Sequence, residues 1–87
     1  MKVIDSKKGQ EHGMTKYDVY FDTYEWVCVW TDSEEWEYQE ADDSDTYLSG
    51  CYEREGKTIV DYDGCFELPE AVKRAFRHIG YKLDRYI

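Results

Sequence analysis

The sequence predicts an α+β fold in which an antiparallel sheet of about four or five strands, over residues 16–62, is packed by one C-terminal helix over 69–79. Three observations predict it. Aromatic and β-branched residues alternate with polar ones through the middle of the chain, which is the period of a half-buried strand. From residue 68 the apolar positions change to spacings of three and four, the period of a helix with one buried stripe. Finally, 87 residues at 41% hydrophobic and 17% aromatic content supply one core and leave no room for a second, so the chain reads as a single domain, 1–87.

The first residues have little pattern beyond Val3 and Ile4, so 1–14 reads as a loosely ordered segment with 6–13 irregular. Tyr17, Val19 and Phe21 then alternate with Asp18, Tyr20 and Asp22, and the apolar phase passes to Tyr24, Trp26, Cys28 and Trp30. A regular strand cannot change phase, so a bulge or tight turn is expected near Asp22 and Thr23. Trp36 and Tyr38 alternate with Glu35, Glu37 and Gln39 in a third run, followed by a polar loop over 41–45. A fourth strand over 46–53 leads through a turn over 54–57 into a fifth over 58–62, and Glu55 with Gly56 reads as the hairpin tip, because glycine supplies the positive φ such turns need. Asp63 and Gly64 read as a second turn. The helix follows from Leu68, Val72, Ala75, Phe76 and Ile79 on one face, with Pro69 suited to the first turn and Gly80 to the stop. Glu70 near the start and Arg77 and His78 near the end agree with the helix dipole. Residues 81–87 alternate again and suit a short edge strand.

Charge is unevenly spread. Twenty acidic residues against eleven basic ones give a net charge of -9. The acid is concentrated between 18 and 67, where sixteen carboxylates face only Arg54 and Lys57, while both ends of the chain are net basic. Such a surface opposes binding to nucleic acid or to an anionic membrane and favours a basic partner. The start of the chain lacks the apolar run of a signal peptide, and no stretch approaches the ~20 apolar residues of a membrane helix, so a cytoplasmic location is expected. Three cysteines, Cys28, Cys51 and Cys65, are an odd number that suits free thiols in a reducing compartment.

Catalytic chemistry finds little to stand on. Nucleophilic catalysis needs a base beside the nucleophile, and the only imidazoles are His12, in the unpatterned segment, and His78, on the polar side of the helix. Three cysteines and a histidine are a legal zinc set, but without a C-x-x-C pair no knuckle forms. Counting from Asp42, an EF-hand loop would end correctly at Glu53 yet has Tyr47 where its turn needs glycine. No phosphate-binding glycine loop and no H-E-x-x-H motif occur. The expectation is a chain that is not an enzyme and carries neither metal nor cofactor.

What remains is the acidic run over 32–45, with Asp32, Glu34, Glu35, Glu37, Glu40, Asp42, Asp43 and Asp45 and no base. A run of this kind can simply keep a small sheet soluble. Mixed charges would do that with less self-repulsion, so selection for a negative field is the sharper reading. Alternate strand residues lie ~6.7 Å apart, close to two ~3.4 Å steps of a DNA strand's phosphates. Glu35 and Glu37 therefore match every second phosphate. Trp36 and Tyr38 between them face either the core or, if exposed, a partner as aromatic anchors. In size, acidity, aromatic richness and lack of catalytic groups the whole chain resembles the small anti-defence proteins of bacteriophages, the DNA mimics that block restriction and CRISPR effectors. The resemblance is one of composition, and no motif carries residue roles across. It implies a non-enzymatic inhibitor that seats Asp32, Glu34, Glu35, Trp36, Glu37, Tyr38, Glu40, Asp42, Asp43 and Asp45 in the basic nucleic-acid groove of a nuclease or CRISPR effector subunit, in the host bacterial cytoplasm. The alternative is a protein–protein assembly module whose sheet edge or basic helix face (Lys73, Arg74, Arg77 and His78) docks on another chain, a second copy being one such partner, and in which the acid serves only solubility.

Overall fold

A computed structural model describes residues 2–40, 47–63 and 67–87. Seven strands and one helix follow in the order β1 (Asp5–Glu11), β2 (Met14–Tyr20), β3 (Trp26–Trp30), β4 (Glu35–Gln39), β5 (Tyr47–Glu55), β6 (Thr58–Tyr62), α1 (Glu70–His78) and β7 (Lys82–Leu83). The strands lie side by side in sequence order in a single curled sheet. All neighbours are antiparallel except β6 and β7, which run parallel because α1 carries the chain back between them.

The four- or five-stranded antiparallel sheet expected from the sequence is therefore corrected to a mixed sheet of seven, with helix a minor part. Of the two strands beyond 16–62, β1 escapes a hydrophobic pattern for a physical reason. All seven residues of β1 are exposed, so no buried side chain marks its period. Its place comes from the backbone ladder to β2 and from the turn between them, where His12 and Gly13 both take positive φ (54° and 77°), as a two-residue hairpin of primed type requires. The segment expected to be loose, 1–14, thus contains an edge strand. At the other edge β7 is the short edge strand expected within 81–87, and the Lys82 and Asp84 N–H groups donate to the Lys57 and Ile59 carbonyls (2.8 and 2.9 Å).

The β2–β3 connection is the tight turn expected near Asp22, closed by the Phe21 and Asp22 N–H groups on the Glu25 carbonyl. The facing of β3 is nonetheless the reverse of what residue size suggests. Val27 and Val29 are fully buried against the helix side, whereas Trp26 and Trp30 lie half-buried on the opposite face. This strand is apolar on both faces, so residue size alone does not say which face is buried.

Helix α1 lies across this valine face, against β3, β4 and β7. Ala71, Val72, Ala75 and Phe76 are its buried residues. Together with Val19, Val27, Val29, Trp36, Tyr52 and Ile59 they make the core, and the Phe76 ring meets Tyr52 edge-on at 4.8 Å between centroids. Burying a ring of that size contributes ~1.5–3 kcal/mol relative to leaving it exposed. Gly80 at φ 98° ends the helix, and the Tyr81 and Gly80 N–H groups donate to the Phe76 and Arg77 carbonyls, so the freed carbonyls of the last turn are satisfied.

Glycine is needed most at Gly50. A Cβ there would stand 2.8 Å from Cζ2 of the Trp36 indole, which lies directly over this residue of β5. Trp36 is 1% exposed and locked under the helix, so the ring has nowhere to go. Gly50→Ala is expected to destabilise the domain by ~1–3 kcal/mol, the range of overpacked cores, seen as a lower urea midpoint at unchanged m-value. Two buried phenols supply a second expectation. Tyr38 Oη donates to Glu25 (2.5 Å) and Tyr52 Oη to the Trp30 carbonyl (2.8 Å), and burial first, then the Glu25 carboxylate beside Tyr38 and the Tyr81 hydroxyl beside Tyr52, raise both well above the ordinary phenol value of 10.0. A raised folded-state value favours the protonated form. Stability should accordingly be complete below pH ~10, where unfolded tyrosine begins to ionise, and fall as pH rises beyond it. Denaturant melts between pH 8 and 11 would show this as a falling midpoint.

Candidate partner-binding face

Because side chains alternate, the valine parity that faces α1 leaves a second parity on the opposite side of the sheet. Among the described residues no element packs across that side. Register fixes three rows on it. One row reads Lys7, Asp18, Cys28, Glu37 and Ser49 from β1 to β5, and a second reads Gly9, Lys16, Trp30, Glu35 and Cys51. The third reads Asp5, Tyr20, Trp26, Gln39 and Tyr47. Beyond them Glu53 pairs with Asp61, and the Asp63 N–H donates to the Cys51 carbonyl (3.0 Å).

The residues singled out in the acidic run do not all arrive here. Glu35 and Glu37 do, on adjacent positions of the open parity of β4. Trp36 and Tyr38 point the other way and are 1% and 8% exposed, so the core reading of these rings holds and the anchor reading does not. Asp32 and Glu34 have structural work in the β3–β4 turn. The Asp32 carboxylate accepts the Thr15 N–H (2.8 Å), which ties the turn to β2. Glu34, at φ 55°, accepts the Arg54 N–H on its carboxylate (3.0 Å) and the Tyr52 N–H on its carbonyl (2.9 Å), which ties the turn to β5. Glu40 is half-buried after β4, and its charge helps to hold the Tyr38 hydroxyl protonated. Asp42, Asp43 and Asp45 lie outside the described residues, as do Cys65 and Gly64 of the expected second turn.

Sequence reasoning missed Asp18, Glu53, Asp61 and Asp63, which share the open face although they are distant in the chain. Parity was the available signal, since each stands one residue from a position that faces the core.

The two halves of the face differ in charge. On β1 and β2 Glu11 and Asp18 are neutralised locally: Lys16 Nζ lies 2.8 Å from Glu11 and 3.8 Å from Asp18, and sits over the Trp30 ring at 5.5 Å. The hydrogen bond from Lys16 lowers the Glu11 carboxyl and in turn raises the Lys16 ammonium. Lys7 covers the Tyr20 ring at 5.7 Å. From β4 to β6, by contrast, Glu35, Glu37, Glu53, Asp61 and Asp63 have no ion-pair partner among the described residues. A shallow cleft of about 230 Å³ opens in this acidic half, lined by Cys51, Tyr52, Glu53, Asp61, Tyr62 and Asp63. On α1 the bases Arg77 and His78 are exposed, and His78 Nε2 lies 3.1 Å from Ser6 Oγ of β1.

Reactive groups are sparse. Burial, and then the neighbouring Asp18 carboxylate, push the Cys28 thiol up to about 12, which leaves it un-ionised at neutral pH and a poor nucleophile. Cys51 is exposed. Among the described residues no three His, Cys, Asp or Glu side chains are arranged to hold a metal ion, and no helix is long and apolar enough to cross a membrane. No family model, no curated protein and no solved structure matches this chain.

The two described thiols should react very differently. At pH 8 a maleimide is expected to label Cys51 in the folded protein and Cys28 only after denaturation, as read by peptide mass mapping. Equal labelling of both in the native state would mean that the open face is looser than its neighbours' packing implies.

Proposed function

We propose that this chain is a non-enzymatic inhibitor that occupies the basic nucleic-acid groove of a DNA- or RNA-binding defence protein, a CRISPR effector or a restriction enzyme, in the bacterial cytoplasm. The observation that carries this reading is the set of unpaired carboxylates on the β4–β6 half of the open sheet face. Glu35 and Glu37 alternate along one strand at ~6.7 Å, and Glu53 and Asp61 stand directly opposite each other on β5 and β6. Like charges directly opposite on a sheet are destabilising, so the arrangement costs stability that a basic partner would restore. Long-range attraction between such a face and a groove lined with lysine and arginine accelerates encounter, and occupation of the groove excludes nucleic acid sterically.

Assembly with a second copy is the weaker reading. Face-to-face pairing would set unpaired carboxylates against each other, and the free edge strand β1 carries Lys7 and Lys8, the kind of charge that discourages edge-to-edge pairing.

The test is a cleavage assay. Purified CRISPR effectors and restriction enzymes are titrated with the protein at low and high salt, in the presence and absence of competing duplex DNA. Inhibition that weakens with salt and with DNA excess is the expected result. The combined variant Glu35→Gln, Glu37→Gln, Glu53→Gln and Asp61→Asn is expected to fold with equal or greater stability and to lose inhibition by at least about tenfold, the equivalent of ~1.4 kcal/mol. Undiminished inhibition by that variant would refute the reading.

A further inference from the structure

Aromatic groups on the open face are not scattered. Tyr20, Trp26 and Tyr47 share one register row with Gln39 between the last two, on four neighbouring strands. Strands ~4.8 Å apart make this a strip about three strand spacings long. The Tyr20 and Trp26 rings lie 6.1 Å apart at 35°, and Tyr47 is 55% exposed. At the end of the strip the β2–β3 turn adds Tyr24, 70% exposed. Tyr47 also joins the strip to the acidic half. Its hydroxyl is bonded to Glu37, and desolvation followed by that carboxylate pushes it up to about 12.

The chain itself shows what such surroundings hold. Lys7 lies over the Tyr20 ring, and Lys16 lies over Trp30 while bound to Glu11. Each is a cation set on the face of a ring, and for Lys16 a carboxylate completes the site. Tyr47, bonded to the Glu37 carboxylate, and Trp26 in the same row have no cation over them among the described contacts. A planar guanidinium stacks on such rings and bonds a carboxylate in a fork, whereas a strongly hydrated ammonium does only the second well.

We propose that the Trp26 and Tyr47 rings of this strip select arginine over lysine in the basic segment that docks on this face. The inference rests on the reading of the face as a docking surface for a basic partner, and it assigns a division of labour. The β4–β6 carboxylates draw the cationic segment in, and the Trp26 and Tyr47 rings hold its arginines.

Oligo-arginine and oligo-lysine peptides of equal length separate these parts, with binding followed by calorimetry over a range of salt. Oligo-arginine is expected to bind about tenfold more tightly. Trp26→Ala should bring it down to the oligo-lysine level without altering the salt dependence of either peptide. Tyr47→Ala, at an exposed position, should weaken oligo-arginine in the same way and keeps the test decisive if Trp26→Ala does not fold. Equal binding of the two peptides by the unaltered protein would overturn the arginine inference and leave the acidic docking face standing. Absence of binding by either peptide at low salt would overturn the docking face itself, and the inference with it.

Discussion

The contact between the apolar stripe of α1 and the valine parity of the sheet constrains everything else in this molecule. Val72, Ala75 and Phe76 meet Val27, Val29 and Trp36, and all six are at most 1% exposed. A single nine-residue helix can cover only one face of a seven-stranded sheet. Since neighbouring residues on a strand point to opposite sides, choosing the face that packs against α1 also chooses, residue by residue, which side chains remain open. Gly50 shows how tightly that choice is held, because the Trp36 indole occupies the space that any side chain at this position would need.

The same constraint arranges the charge. Acids one residue away from core positions are carried to the open face from four different strands, while the exposed bases of α1 are carried to the other side. Among the described residues the unpaired carboxylates of β4 to β6 thereby stand on one side of the sheet and the exposed Arg77 and His78 of α1 on the other. Sidedness matters more than net charge for recognition, since a field distributed evenly would solubilise the domain without directing any encounter. Within the acidic side the two lysines on β1 and β2 draw a further boundary, neutralising one half and leaving the half from β4 to β6 uncompensated.

Much of the fold was legible. The helix could be read to within a residue or two because its stripe, its proline and its terminal glycine agree, and β4 to β6 could be read because their alternation and the turn at Gly56 agree. β1 could not, since an edge strand that buries nothing has no reason to alternate, whereas β7 lies within the 81–87 stretch whose alternation suits a short edge strand. In β3 the tryptophans drew attention from the valines, because hydrophobic size and core facing are different properties when both sides of a strand are apolar. Of the acidic run, Glu35 and Glu37 alternate on β4 as the sequence reads, Glu35 exposed and Glu37 half-buried. Asp32 and Glu34 were not separable from them by composition, because nothing local announces that a carboxylate will accept a backbone N–H from a strand seventeen or twenty residues away.

By itself, then, the sequence determined the presence of a helix-packed sheet, the total negative charge and the scarcity of catalytic groups, all of which depend on local period or on composition. Only the tertiary structure decided which carboxylates stand together. That grouping depends on strand register, and register is set jointly by the turns and by the burial of the valine face. It brought Glu53, Asp61 and Asp63 beside Glu35 and Glu37, withdrew Trp36 and Tyr38 into the core, and set Trp26 and Tyr47 in one row. A one-residue slip of any of these strands would have exchanged the two faces.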